Sequence, residues 1–410
     1  MYAAFRAPGE IIFGPGQRRA IPAQAALHGT RAFIVADAFL AESPLLTELG
    51  VGLDAAGVAW EVFTQVVPEL PTHAISAASA AAGAFGADVF IAMGGGSSID
   101  TAKMAAVLLA HGGEVSDYYG ERRVPGPVAP IIAAPTTAGT GSEVTPVAVV
   151  TDTRRESKVG VSSPYLIPSV AVCDPEMTLT CPAGVTAASG ADALCHAIES
   201  YTAVKGRGEP TDAGRVFMGS SLLTDTLALE AIRRIAQGLP RAYREPGDLD
   251  SRAQTLYGSL LAGLAFGTAG TAAAHALQYP IGAVTRTPHG VGVGLLLPFV
   301  MEFNRSVREA ELADVAAALG AGPASPADLA RQAPVLVRDI MRQIGIPDSL
   351  AELGFPEDRL DWAAVEGVKA QRLAENNPVP LTVEAARQIL DAAFFGVRTP
   401  APEQTAGGRR

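Results

Sequence analysis

Charge, aromatic rings and cysteine are all scarce in this chain. Of its 410 residues, 18% are charged and 6% aromatic, with two tryptophans and three cysteines. Cys173, Cys181 and Cys195 show no CxxC spacing and, being three, cannot all pair. That speaks against a disulfide framework and predicts a reduced, intracellular setting. Basic charge is the minority: 31 Lys and Arg stand against 42 Asp and Glu, a formal net charge of -11, with no run of Lys or Arg. Phosphate backbones need a basic surface, so a nucleic-acid partner is excluded. The opening "MYAAFRAPGEIIFGPG" sets Arg6, Glu10, Gly and Pro where a signal peptide would carry its apolar run, and the cytoplasm is the expected location.

One stretch, Gln254 to Thr285, has no Asp, Glu, Lys or Arg at all. Its length raises the question of a membrane span. Ala, Gly, Ser and Thr dominate it rather than Leu, Ile and Phe, it carries His275, and Pro280 interrupts it. The reading is a helix buried on all sides inside a domain, with no membrane contact.

Hydrophobic residues make up 48% of the chain, and its length exceeds what one ordinary core serves, so two domains are expected. The first part alternates β-branched runs, "RAFIVAD" (31–37), "ADVFIAMGGG" (87–96) and "VAPIIAAPTT" (128–137), with Ala-rich helical runs at 72–86 and 98–112. This alternation predicts an α/β domain with a parallel, Rossmann-like sheet. "SVAVCDPEMTLTCP" (169–182) reads as its last strand. Helical patterns then follow at 184–203, 219–238, 251–279, 290–304, 308–320, 326–344 and 384–395. The predicted organisation is an α/β domain over 1–182, an all-helical domain over 183–398 and a loose tail over 399–410, with a polar loop at 205–214.

"FIAMGGGSSIDTAK" joins a strand to a helix through Gly94, Gly95 and Gly96, with Ser97 and Ser98 next to them. Such a turn lets backbone N–H groups approach a phosphate, although a tight turn with a capping serine has the same letters. A second loop, "APTTAGTGSEVT" (134–145), rich in hydroxyls and glycine, follows another buried strand. Two such loops at the carboxyl ends of parallel strands favour a pyrophosphate cradle. Asp37, ending its strand, is either a ribose acceptor that favours NAD over NADP or a turn residue.

"SGADALCHAIES" holds Asp192 and His196 four apart, one helical turn on one face. His275 sits in the uncharged stretch and His289 between Pro288 and Gly290. Imidazole is costly to bury without a partner. Three imidazoles and a carboxylate are readily explained by a divalent ion, and a nitrogen-rich set suits Fe(II), Zn(II), Co(II) or Ni(II) rather than Mg or Ca. His28, His73 and His111 have no comparable companions and read as surface or structural.

"GGGSSIDTAK", "PTTAGTGSEVT", "GADALCHAIESY" and "AAHALQYPIGA…TPHGVG", in this order, resemble the successive signatures of the iron-containing, group III alcohol dehydrogenases. The likeness runs from about residue 7 to "ENNPVPLTVEAARQIL". It implies the architecture shared with dehydroquinate synthases: a nucleotide-binding α/β domain, a helical domain and a metal between them. Carried over by position, Asp192, His196, His275 and His289 would hold Fe(II), or Zn(II) in its place. Gly95, Gly96 and Ser97 would form the phosphate turn. Thr136, Thr140, Thr145, Val149, Lys158 and Leu179 would lie along NAD, with Asp37 on the adenosine ribose. The chain departs from the pattern at Tyr279, where many members carry a histidine linked to proton relay or substrate.

The implied reaction is reversible hydride transfer between an alcohol or aldehyde and NAD(H), with the metal polarising the substrate oxygen, in a homodimer or larger homo-oligomer. A keto-acid reductase of the maleylacetate reductase type and a hydroxyacid-oxoacid transhydrogenase are the alternatives on the same fold. Phe266 and Tyr279 are expected to form an apolar wall, and the motifs carry no arginine clamp for a carboxylate unless Arg286 reaches one.

Overall fold

The architecture is that of a computed structural model, which describes residues 3–152, 157–206 and 214–396. The tail read at 399–410 and most of the polar loop at 205–214 lie outside these residues.

The first half interleaves strands and helices: β1 (Glu10–Phe13), α1 (Ile21–His28), β2 (Arg31–Ala36), α2 (Pro44–Ala55), β3 (Ala59–Phe63), α3 (Thr72–Phe85), β4 (Val89–Gly94) and α4 (Gly96–His111). β5 (Gly120–Glu121), β6 (Ile131–Pro135), β7 (Val147–Asp152), β8 (Ser157–Ser162) and β9 (Val170–Cys173) complete the strands. Six of them form a sheet in the order β1-β9-β6-β4-β2-β3, every pair parallel. Along β2, Ala32, Ile34 and Ala36 pack with Ile21, Leu49 and Leu53, whereas Phe33 and Val35 pack with Phe63, Phe90 and Ile99 on the other face. Both faces are covered, which is why these strands read as unbroken apolar runs. The predicted parallel sheet is therefore present. The strand expected over 169–182 is shorter: β9 ends at Cys173, and Pro175–Thr178 turn as a 3-10 helix that Asp174 caps through the Glu176 N–H.

Helices follow: α5 (Ala183–Thr202), α6 (Leu222–Arg244), α7 (Leu249–Ala269), α8 (Ala273–Thr285), α9 (His289–Asn304), α10 (Glu309–Ala318), α11 (Pro326–Gln343), α12 (Leu360–Val368), α13 (Gln371–Asn376) and α14 (Val383–Phe395). The single helix expected over 251–279 is in fact two, α7 and α8, bent by 103°. Gly270 adopts φ 82° at the corner, a conformation other residues rarely take. Asn376 then donates to the carbonyls of Ala269 and Thr271, and Glu199 receives the N–H groups of Ala272 and Ala274. The uncharged stretch is largely buried up to Ile281, with Ala283 exposed near its end, and no single described helix is long and apolar enough to cross a membrane.

Helices α5 and α9 touch at backbone distance. A Cβ on Gly290 would stand 1.8 Å from the Ala188 carbonyl oxygen, so only glycine admits this approach. Beneath the cleft between sheet and helices, α4 is tied to its neighbours by buried charge. Lys103 Nζ donates to the carbonyls of Thr145 (2.9 Å) and Val147 (2.7 Å). Asp100 accepts from the Ser142 hydroxyl (2.5 Å) and the Val149 N–H (2.9 Å). Burial pushes Lys103 down to about 8 and Glu143, whose Oε1 has no hydrogen-bond partner among the described residues, up to about 7.

Two outcomes are expected. The Glu143 carboxyl, ordinarily ionising near 4.5, keeps its proton in the folded chain to about pH 7. Its contribution to stability is complete below the lower value and lost as pH rises through the upper one. Glu143→Gln should raise stability by about 3 kcal/mol at pH 8 and leave it unchanged at pH 4. Equal thermal midpoints of variant and native protein at pH 8 would contradict the buried charge. Gly290→Ala should destabilise by about 1–3 kcal/mol, because α9 must move off α5. A denaturation curve matching the native one would show that this contact yields freely.

Candidate metal centre and dinucleotide cleft

A cleft of about 590 Å³ separates the carboxyl ends of the strands from the helices. On the sheet side it is lined by Gly96 and Ser97 at the start of α4, and by Thr140, Ser142, Thr145, Val149 and Lys158. On the helical side it is lined by Asp192, His196, Phe266, His275, Tyr279, His289 and Arg372.

Four side chains converge at its inner wall. Asp192 and His196 lie one turn apart on α5, His275 in the first turn of α8, and His289 opens α9. The Nε2 atoms of His196, His275 and His289 lie 3.6, 3.5 and 3.8 Å from one atom, Asp192 Oδ1. These separations are too long for hydrogen bonds. Both Asp192 Oδ1 and His275 Nε2 are buried without a hydrogen-bond partner among the described residues. Ligand atoms around one transition metal at about 2.1 Å from each stand about 3–3.5 Å apart, so the donor set fits such an ion. Asp192, His196 and His275 form a buried group with ligand atoms close enough to share one.

The surroundings aim these donors. His275 Nδ1 meets Glu199 Oε2 at 2.6 Å, which turns Nε2 toward Asp192. His196 Nδ1 faces the Gly139 carbonyl at 3.3 Å, and its ring stacks on Phe266 with centroids 4.1 Å apart. Backing of one ring nitrogen by a carboxylate or carbonyl fixes the tautomer that a metal needs. Burial pushes His196 down to about 4 and His289 to about 3. Burial also opposes charge on His275, yet Glu199 and Asp192 together raise it to about 9. Desolvation works against ionised Asp192 too, but the three imidazoles hold it well below the usual carboxylate range. Without an ion, the proton on His275 offsets only one of the two carboxylates, and an ion at Nε2 would have to displace it.

The glycine turn presents a bare helix end. The residue before α4, Gly95, makes no side-chain cap, and Ser98, one of the two serines adjoining the turn, donates instead to Asp37 Oδ1 at 2.9 Å. Gly96 and Ser97, in the first turn, line the cleft, and a helix N-terminus attracts an anion. A Cβ on Gly96 would meet Thr140 Cγ2 at 2.7 Å, so the turn stays open only with glycine. The chemistry of this wall fits a pyrophosphate.

Of the cofactor residues read from the sequence, Gly96, Ser97, Thr140, Thr145, Val149 and Lys158 line the cleft, whereas Asp37, Gly95, Thr136 and Leu179 do not. Asp37 Oδ2 receives the Gly95 N–H at 3.1 Å, so this acid holds the turn together. Thr136 is buried, its N–H bonded to the Gly94 carbonyl. Leu179 is half-buried at the end of the 3-10 turn after β9. Lys158 pairs with Glu69 at 3.2 Å. Phe266 and Tyr279 both reach the cleft, and the Tyr279 ring lies 6.3 Å from that of His289 at 29°. Glu199, Asp100 and Arg372 were not singled out from the sequence. Glu199 carried a legible signal, since 192, 196 and 199 share one helical face. Arg372 and the Gly139 carbonyl carried none.

Comparison with known proteins agrees with this geometry. The family model "Iron-containing alcohol dehydrogenase" matches residues 8–175, and the model "Fe-containing alcohol dehydrogenase family, C-terminal" matches residues 186–394. The chain is 36% identical to long-chain-alcohol dehydrogenase 1 of Geobacillus thermodenitrificans, over 92% of each chain. It is 32% identical to the NAD-dependent methanol dehydrogenase of Bacillus methanolicus, over 95% of this chain and 99% of that one. Among solved structures it resembles a 1,3-propanediol oxidoreductase with a TM-score of 0.89 and 31% identity, covering 96% of this chain and all (100%) of that one. With both halves matched, the chain belongs to the iron-containing alcohol dehydrogenase family and is an oxidoreductase acting on alcohol groups.

Proposed function

We propose that the protein transfers hydride reversibly between a small alcohol or aldehyde and NAD(H), at an ion held by Asp192, His196, His275 and His289. The observation that carries this reading is the convergence of three Nε2 atoms on Asp192 Oδ1 at the edge of the cleft. When bound, the ion supplies a Lewis acid for the substrate oxygen and NAD supplies the hydride acceptor. Fe(II) is the ion of this reading, with Zn(II) as the substitute that the same donors accept.

The chain's own residues do the positioning. Glu199 orients His275, and the Gly139 carbonyl orients His196. Gly96 and Ser97 take the pyrophosphate at the α4 N-terminus, while Thr140, Thr145, Val149 and Lys158, which line the cleft, follow the cofactor. Gly95, Thr136 and Leu179 do not line it and make no contact with the cofactor in this reading. Asp37 holds the turn through the Gly95 N–H and the Ser98 hydroxyl, and in this reading its charge beside the turn disfavours a 2′-phosphate, which makes NAD the cofactor. Burial pushes the Tyr279 phenol above its ordinary range, so it serves as a hydrogen-bond donor rather than a source of phenolate. In this reading residues 1–182 form the nucleotide domain and 183–398 the metal-binding domain. The three cysteines, all free and buried, suit a reducing compartment such as the cytoplasm. The assembly is a homodimer or larger, as the family resemblance implies.

Metal analysis and NADH oxidation with an aldehyde panel test the reading. About one iron or zinc per chain is expected, with activity lost on chelation and regained on reloading. His275→Ala should purify folded without metal, and Glu199→Gln should weaken metal binding about 10–100-fold. A His275→Ala protein that retains both its ion and native turnover would refute the assignment.

A further inference from the structure

Three cationic side chains line the cleft: Lys158, Arg286 and Arg372. Lys158 is paired with Glu69 at 3.2 Å. Arg286 is exposed at the mouth, in the left-handed residue that closes α8. Arg372 differs from both. It enters from α13, its guanidinium carbon lies 4.2 Å over the Phe217 ring, and its Nη1 is buried without a hydrogen-bond partner among the described residues.

The carboxylates that could neutralise Arg372 are engaged elsewhere. Glu199 accepts from Ala272, Ala274 and His275. Glu121 accepts the Val216 N–H at 2.5 Å, Asp100 the Ser142 hydroxyl and Val149 N–H, and Asp192 faces the imidazoles. Burial draws the guanidinium below its ordinary range, while Tyr279, Glu121 and Glu199 pull it back. Arg372 is half-buried at the cleft, and a buried N–H without a partner is unfavourable unless an acceptor completes it. Contact with the Phe217 ring restricts the guanidinium, whose fork of N–H donors suits an oxyanion.

Its place along the cleft says which anion. The pyrophosphate wall is at α4, on the sheet side, whereas Phe217, Tyr279 and Arg372 belong to the helical side. Tyr279 lies one helical turn from His275, and its electrostatic neighbours include Arg372. We propose that Arg372 is the anion-recognition residue of the substrate pocket, and that the substrate is an alcohol or aldehyde bearing a carboxylate or sulfonate. This rests on the dehydrogenase reading and narrows it toward oxo acids.

The test compares ω-oxo carboxylates, from glyoxylate to glutaric semialdehyde, with unsubstituted aldehydes of equal length, using the metal-loaded protein and NADH. At one chain length at least, the KM of the oxo acid should lie tenfold or more below that of its neutral partner. Arg372→Met should raise the oxo-acid KM at least tenfold more than it raises the neutral one, and Arg372→Lys should recover part of the difference. Neutral aldehydes with KM values equal to or below those of every oxo acid would overturn the proposal and leave the dehydrogenase reading standing. So would an Arg372→Met protein that loses both substrates alike. If no aldehyde of either kind is turned over, the dehydrogenase reading fails instead, and calorimetry of the NAD-loaded protein with 4-hydroxybutyrate and 3-hydroxypropionate decides the anion site. Binding that Arg372→Met abolishes supports it; no binding of either acid overturns it.

Discussion

Glu199 gathers the N–H groups of Ala272 and Ala274 and the Nδ1 of His275 onto one buried carboxylate. Two of these donors belong to the first turn of α8, where helix N–H groups have no partner within the helix. The third is the imidazole itself. One side chain from α5 thus starts α8 in its new direction and sets the ring of His275. A negative charge at a helix N-terminus is favourable, and so the bend and the candidate ligand are stabilised by the same contact. Asp192 and His196 project from the same helix as Glu199, which makes α5 the common frame of the centre.

Much of this was legible from residue order, and the reasons differ by element. Strands β2, β4 and β6 announced themselves because both faces are buried. Asp192 and His196 could be read as a pair because their spacing matches a helical turn. β1, β3, β7 and β8 left weaker traces: they are short or partly exposed, and the surroundings rather than the letters make them strands. The bend at Gly270 escaped because glycine and alanine within an apolar run read equally well as continuous helix. Its cause lies in Glu199 and Asn376, far away in the chain. Arg372 was silent for a similar reason, since its significance comes from which carboxylates do not reach it.

The two walls of the cleft use different electrostatic devices. The sheet wall offers the glycine turn, whose backbone N–H groups carry no formal charge and take up little space, beside the Lys158–Glu69 pair. The helical wall concentrates full charges, an aspartate among imidazoles and a guanidinium over a phenyl ring. Buried charges on this wall depend on one another across helices α5, α8, α9 and α13, so its geometry is a property of the packed bundle.

Asp37 carries two duties that evolution or an engineer would meet as one. Its carboxylate receives the Gly95 N–H and the Ser98 hydroxyl, and under the proposed function the same charge stands against a phosphorylated ribose. Exchanging it for a neutral residue to admit the other nicotinamide cofactor would also release both donors from the glycine turn. Under that proposal, cofactor preference is bound to the integrity of the glycine turn. A switch would need a compensating acceptor installed beside Gly95 at the same step.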